Sequence, residues 1–309
     1  MSVPSCSPAV SESPAFSPTE LSVIRRAFAR QMLAIAGVQN PRIEAAFTAI
    51  AREAFLGEPP WTAALPAVGY QVLPGCDPVV LYQDIVIPLD RARGVNNGSP
   101  SLHIKLLDAL DPRPGEHIVH IGAGAGYYTA VLAELVGPSG RVTAVEFNAV
   151  LAERARAALV PYANVSVVCD NGARWPNAPA DGIYVNFAAA RPADRWIEGL
   201  APGGRLIFPL GVPGPDRPGL GGRHADRGAA LRIERCGQSY SARAIAPAYF
   251  VCAEGEDFEI EADELVRLRA AFDGGEINRV RSLIWKRPVP SDRNWFAGAS
   301  WALSAEEIS

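Results

Sequence analysis

Residues 118–127 read Ile-Val-His-Ile-Gly-Ala-Gly-Ala-Gly-Tyr: an apolar strand that runs into three glycines two places apart, followed by a helical pattern. Glycine at such positions lets the backbone turn sharply and approach a ligand closely, because no β-carbon obstructs it. The turn sits inside a regular alternation that begins at Ser101. The pattern predicts a helix over 102–110, a strand over 117–121, a helix over 128–136, a strand over 141–146 and a helix over 150–159. Strands over 165–169 and 182–186, a helix over 194–200 and a strand over 205–208 follow. Strands that alternate with helices in this way predict an α/β fold, a doubly wound Rossmann-like sheet.

The flanks are different. Ahead of the sheet, apolar residues recur at helical spacing through Leu21, Ile24, Phe28, Met32 and Ile35, then through Ile43, Phe47, Ile50 and Phe55, with Asn40-Pro41 as a helix start signal between them. Residues 58–78 are rich in Pro and Gly, 79–89 read as a short β-like run, and 91–100 read as a loop. Compact proteins use irregular stretches of this kind as lids or binding loops. Past the sheet, 213–227 is dense in Pro and Gly, and 230–236 and 242–251 read as a hairpin around Gly237-Gln238. Beyond Glu254 a helix over 262–272 and an aromatic run with Trp285, Trp295, Phe296 and Trp301 read as an appended subdomain on the substrate side, its tryptophans forming a small core. The expected divisions are a disordered tail (1–18), an N-terminal helical and substrate-loop region (19–100), a ligand-binding α/β domain (101–254) and a C-terminal extension (255–309).

Composition narrows the partners. At 309 residues and 49% hydrophobic, the chain can bury a sizeable core. Its formal net charge of −4 gives no general attraction to phosphate backbones or anionic membrane, so neither nucleic acid nor membrane is an expected partner. No apolar run approaches the roughly 20 residues that span a bilayer. The five cysteines are scattered, with no C-x-x-C pair, and are expected as reduced thiols of a cytoplasmic protein. His117 and His120 lack further ligand-type neighbours, so no metal site is expected.

The glycine spacing distinguishes two cofactors. A dinucleotide fingerprint places Gly or Ala directly after Gly126, where Tyr127 stands. The G-x-G-x-G form followed by a bulky residue is the S-adenosylmethionine version, and the following helix N-terminus offers amides to a carboxylate such as that of the methionine moiety. Glu146 closes the next strand, where an acid accepts both ribose hydroxyls. The third strand ends in Cys169-Asp170-Asn171-Gly172, where either Asp170 or Asn171 could hold the adenine amino group, and the fourth ends at Asn186-Phe187. Candidate cofactor residues are therefore His120, Gly122, Ala123, Gly124, Gly126, Tyr127, Glu146, Phe147, Asp170, Asn171, Gly172 and Asn186.

These residues resemble the protein L-isoaspartate O-methyltransferase family over roughly 42–254. Ala51-Arg-Glu-Ala-Phe55, Pro114-Gly115 leading into the glycine turn, Ala133-Glu-Leu-Val-Gly137, Pro202-Gly-Gly-Arg-Leu-Ile-Phe-Pro209 and Pro247-Ala-Tyr-Phe-Val251 match in order. The resemblance implies a Rossmann-like methyltransferase with S-adenosyl-L-methionine as donor. It also shows departures. The family's Thr-x-Ser-Gln-Pro-type loop presents a serine to the substrate carboxylate, whereas this chain reads Val95-Asn-Asn-Gly-Ser-Pro100, with Gly98 at the serine's place. Substrate handling differs unless Ser99 or Ser101 substitutes. His120 stands where many members have an acid, and Asn171 where an adenine-binding aspartate is usual.

The expected reaction is carboxyl O-methylation of an Asp-like or isoAsp-like group in a peptide or protein. A carboxylate, with a pKa near 4, is nucleophilic at neutral pH without a general base. Candidate substrate residues are Asn96, Asn97, Ser99 and His103. Two alternatives stand beside it. One is N- or O-methylation of a small molecule, with His103 as general base; the other is a non-catalytic cofactor- or partner-binding homologue, against which the intact glycines and Glu146 argue.

Overall fold

The computed structural model describes residues 16–65, 68–215, 221–258, 260–288 and 293–307. Most of the expected tail thus lies outside the described residues, and its last two residues start a helix. Ser17 caps α1 (Pro18–Ala36) through a reciprocal capping box with Glu20. Asn40 caps α2 (Pro41–Ala49), and a one-turn α3 (Glu53–Leu56) follows. The apolar stripes read from the sequence form the contacts, with Phe28, Met32, Ile43 and Phe47 buried in the main core. Each such side chain contributes on the order of 1.5–3 kcal/mol by leaving water.

Residues 58–100 are more ordered than their composition suggests. They form an antiparallel hairpin of β1 (Thr62–Leu65) and β2 (Gly69–Val72), then a second one of β3 (Pro88–Asp90) and β4 (Val95–Asn96). The β-like run at 79–89 is instead a 3-10 turn over Pro78–Leu81 that leads into β3. Arg52 explains the difference. Its fully buried guanidinium donates to the carbonyls of Leu81, Gln83 (3.0 Å) and Ile85 (3.4 Å), so these backbone groups bind a side chain rather than a strand partner.

The α/β unit then follows the expected order: α4 (Pro100–Leu110), β5 (His117–Ile121), α5 (Tyr127–Val136), β6 (Arg141–Glu146), α6 (Ala149–Ala158), β7 (Val165–Cys169), β8 (Ala180–Val185), α7 (Asp194–Glu198) and β9 (Leu200–Pro213). A long hairpin joins β10 (Ala225–Cys236) to β11 (Ser239–Pro247), and α8 (Ala262–Asp273), β12 (Ser282–Trp285), β13 (Asn294–Ala297) and β14 (Trp301–Ser304) complete the chain. The sheet has ten strands in the order β13-β14-β12-β11-β10-β9-β8-β5-β6-β7. Strands β7, β6, β5, β8 and β9 run parallel, and the rest pair antiparallel. The chain steps outward from β5 through β6 to β7 and then returns to the other side of β5 with β8. That reversal opens a crevice at the carboxyl ends of β5 and β8, the place where open α/β sheets bind ligands.

The C-terminal aromatic run does not form a separate core. Strands β12 and β14 extend the common sheet through Tyr240↔Leu283 and Trp285↔Trp301 pairings, and Trp285, Phe296 and Trp301 share one cluster with Trp196 and Phe208 of the central sheet. Cys169, Cys236 and Cys252 are free thiols, but Cys76 is disulfide-bonded, contrary to the expectation of reduced cysteines throughout. Among the described residues no helix is long and apolar enough to cross a membrane, and no group of three or more His, Cys, Asp or Glu is placed to hold a metal ion.

Candidate functional site

A cavity of about 390 Å³ lies over the carboxyl ends of β5 and β8, between the glycine turn and the β3–β4 hairpin. Gly122, Ala123, Gly124 and Tyr127 line it from the turn, Glu146 and Phe147 from the end of β6, Asn171 and Gly172 from β7, and Asn186 from β8. From the opposite side come Asn96, Asn97, Ser99 and His103. Of the residues expected at the cofactor, His120, Gly126 and Asp170 do not line the cavity.

The turn is shaped by space as well as dihedral angle. Gly122 has φ +75°, and a β-carbon there would come within 2.9 Å of the Phe187 ring; one on Gly124 would meet Leu89 at 3.0 Å. Gly126 serves packing instead. At φ +96° it starts α5, and a β-carbon would strike Leu159 at 2.8 Å, where α6 ends. The first bond within α5 runs from Ala130 N–H to Gly126 O (3.0 Å), so the amides of residues 127–129 have no partner inside the helix.

Glu146 is 8% exposed and accepts from the amides of Gly124 (2.7 Å) and Asn148 (2.9 Å), one on each oxygen. Burial raises its pKa, and the two amide bonds oppose that rise. A carboxylate has about four lone-pair sites. Two remain, on a residue that lines the cavity.

His120 lies fully buried beneath the site. Its Nδ1 pairs with Thr129 Oγ1 (2.8 Å), and its Nε2 accepts from Asn186 Nδ2 (2.7 Å). Burial pushes its pKa down to about 3, so it is a neutral support. Fixing the Asn186 amide leaves Asn186 Oδ1 buried without a partner, on a residue that lines the cavity. An orphaned acceptor beside a helix N-terminus suits a zwitterionic ligand whose ammonium and carboxylate sit side by side. Asp170 turns away: its carboxylate accepts from Trp175 Nε1 (2.9 Å) and the Asn171 amide (2.7 Å), which hold its pKa low. Asn171 takes the cavity position, and its Nδ2 donates to Asp257 (2.6 Å).

On the opposite side, two of the four candidates are committed locally. Asn96 bonds the Gly94 carbonyl (3.2 Å) and the Gly98 amide (2.9 Å). Ser99 caps α4, and its hydroxyl donates to Asp84 (2.8 Å), which also takes the Ser101 hydroxyl (2.5 Å). Neither serine hydroxyl is therefore free to replace the one absent at Gly98. Asn97 Oδ1 accepts from the Ile87 amide (2.7 Å), but its Nδ2 is buried without a partner. His103, 1% exposed, stacks on Tyr128 at 3.7 Å and bonds Tyr184 Oη through Nδ1 (2.7 Å). Burial, with His120 and Arg52 nearby, holds its pKa well below 6.5.

The sequence reading missed part of the enclosure. Phe187 and Phe258, centroids 5.2 Å apart, line the cavity, Phe258 coming from the segment after Glu254. Arg93 reaches Glu254 through an ion pair that ties the β3–β4 hairpin to the segment after β11. No local pattern marks Phe258; its neighbour Phe187 was visible only as the residue after a strand end.

Comparison with known proteins agrees with this geometry. The profile of the Protein-L-isoaspartate(D-aspartate) O-methyltransferase family matches residues 27–217. The chain is 42% identical over 137 residues to a protein-L-isoaspartate O-methyltransferase of Aeropyrum pernix, covering 43% of this chain and 52% of that protein. It is 36% identical over 169 residues to one of Methylorubrum populi, covering 53% and 72%. The matched region thus spans about half the length of the Aeropyrum relative. Among solved structures, a protein-L-isoaspartate O-methyltransferase superposes with TM-score 0.60 at 23% identity, covering 87% of this chain and 73% of that one. A Plasmodium falciparum protein described as a protein-L-isoaspartate O-methyltransferase in complex with S-adenosyl-L-homocysteine superposes with TM-score 0.57 at 14% identity, covering 75% and 99%. At these identities the superpositions establish the Rossmann-like fold. The family profile extends from α1 through β9, and this chain belongs to the protein-L-isoaspartate(D-aspartate) O-methyltransferase family.

Proposed function

We propose that the protein is an S-adenosylmethionine-dependent methyltransferase that esterifies the carboxylate of an isoAsp-like group in a peptide or protein. One observation carries this reading: a single cavity is lined at one end by a buried carboxylate and a glycine turn and at the other by the 95–103 segment, where Asn97 Nδ2 is buried without a partner. Glu146 holds the ribose, the amides of residues 127–129 take the methionine carboxylate, and Asn186 Oδ1 takes the ammonium. Phe147, 59% exposed at the strand end, covers the adenine, and Asn171 stands at its edge. Bound there, the cofactor supplies a sulfonium methyl, which a carboxylate oxygen takes in line as the C–S electron pair returns to sulfur. The chain's part is to position the two partners and exclude water. The buried, neutral His103 suits an acceptor that needs no base.

Tyr249, 61% exposed at the cavity rim, offers a face on which a peptide can lie. The cytosol is the compartment we assign; three free thiols accord with it, and the disulfide at Cys76 does not. The test is incubation with S-adenosylmethionine and two matched peptides, one isoAsp and one Asp. Methyl ester or succinimide on the isoAsp peptide, with stoichiometric S-adenosylhomocysteine, is the expected result. No product on either peptide, from protein that binds S-adenosylhomocysteine, overturns the reading.

A further inference from the structure

Gly98 and His103 occupy one space. Gly98 has φ +69°, and a β-carbon built on it would fall on His103 Nε2, closer than real β-carbons approach any atom. A serine at 98 and this histidine rotamer are therefore mutually exclusive. The imidazole is fixed in place: Tyr128 stacks on one face, Phe250 meets it edge-on at 5.8 Å, and Nδ1 bonds the Tyr184 hydroxyl. Tyr184 is fully buried, and among the described residues its hydroxyl has only His103 Nδ1 as hydrogen-bond partner. A buried hydroxyl proton left undonated is costly. Tyr184 O–H therefore donates to Nδ1, and the neutral ring carries its own proton on Nε2. Beside it, the Asn97 amide presents the second unpaired donor of the same wall.

We propose that His103, through Nε2–H and together with Asn97 Nδ2–H, donates hydrogen bonds to the acceptor carboxylate and thereby fills the role left vacant by glycine at position 98. The assignment rests on the proposed carboxyl methylation. Both donors are neutral, so they orient the carboxylate without withdrawing its charge as an arginine would. Tyr184 is a positioning residue, acting only through the tautomer.

The test compares His103→Phe and His103→Gln with the wild type on the isoAsp peptide, with S-adenosylhomocysteine affinity and thermal midpoint measured alongside. Phe keeps the stack but offers no donor, and Gln restores an N–H. The expected result is a fall in kcat/KM of roughly 10- to 150-fold for Phe, the worth of a hydrogen bond to a charged group. Partial recovery is expected for Gln, with cofactor affinity unchanged in both. Unchanged kcat/KM in the Phe variant, or losses in cofactor affinity and midpoint that match the loss in turnover, overturns the proposal. Its failure is separable from failure of the methylation reading. With four histidines in the chain, ¹⁵N-histidine spectra resolve His103 directly, and titration with an isoaspartyl dipeptide reads the donor without any turnover. An Nε2–H tautomer whose signal moves downfield on titration supports the assignment even if no methyl is transferred; an Nδ1–H tautomer, or an unmoved signal, overturns it.

Discussion

Glu146 is the residue on which the proposed cofactor binding turns. Only the carboxylate accepts from the Gly124 and Asn148 amides and still has lone pairs for two ribose hydroxyls. Because burial raises its pKa above 4.5, affinity for S-adenosylhomocysteine is full above that raised pKa and is lost as pH falls through it. Calorimetric titration from pH 7 downward checks this. Glu146→Gln places an amide against amide donors and is expected to weaken binding at pH 7 by about 1.5–3 kcal/mol. His103 and His120 give a second pH dependence. Both are buried neutral, with folded pKa values below 6.5, so the unfolded chain takes up protons first on acidification. Their contribution is fully present above about pH 6.5 and declines below it, by about 1.4 kcal/mol per pH unit for each histidine until its folded pKa is reached. Urea midpoints at pH 7 and pH 5.5 are expected to differ accordingly, and the difference is smaller in His120→Gln. The glycines, Glu146 and the Asn96–His103 stretch were legible in the sequence because spacing along one strand–turn–helix sets them. The support of Asn186 by His120 was not, since it joins strands 66 positions apart.

Among the elements, the β3–β4 hairpin forms one wall of the cavity. Its tip lies backbone to backbone against the segment after β9: a β-carbon on Gly221 would overlap the Arg91 carbonyl, and one on Gly222 the Arg93 carbonyl. Gly221→Val is therefore expected to lift the hairpin, raising amide exchange over residues 88–96 and lowering methyl transfer while leaving the exchange of β5 and β6 unchanged. The Arg93–Glu254 pair is 36% and 53% exposed, and exposed ion pairs contribute no more than about 1 kcal/mol. Arg93→Ala should shift the thermal midpoint little; a large shift would show that the ion pair, rather than the glycine contact, seats the hairpin. Here the sequence reading expected an irregular loop, whereas the stretch that lines the cavity is built from two short hairpins and a 3-10 turn. The reason is Arg52, whose buried guanidinium takes the carbonyls that a β-run would have paired.

At the scale of the whole molecule, one sheet runs from β7 to β13, and the extension is part of its core. Trp301, 1% exposed, donates through Nε1 to the buried Glu264 carboxylate (2.9 Å), and Glu264 also accepts from the Ala299 amide (3.0 Å). Trp301→Ala removes a fully buried aromatic side chain and one of the two donors to the Glu264 carboxylate, at an expected cost of about 3–5 kcal/mol. The loss should appear in a single cooperative unfolding transition shared with the cofactor end, read by calorimetry with and without S-adenosylhomocysteine. Two separate transitions, only one of them moved by the ligand, would show that the extension folds as its own unit.

By itself the sequence determined the alternation of strands and helices, the glycine turn and the acid that closes the next strand, because each depends on residues within a few positions of one another. The tertiary structure alone decided that Gly98 yields its space to His103, that Asn171 and not Asp170 faces the cavity, and that the last three strands join the main sheet. Those outcomes depend on side chains brought together from distant segments, where packing and hydrogen-bond satisfaction override local pattern.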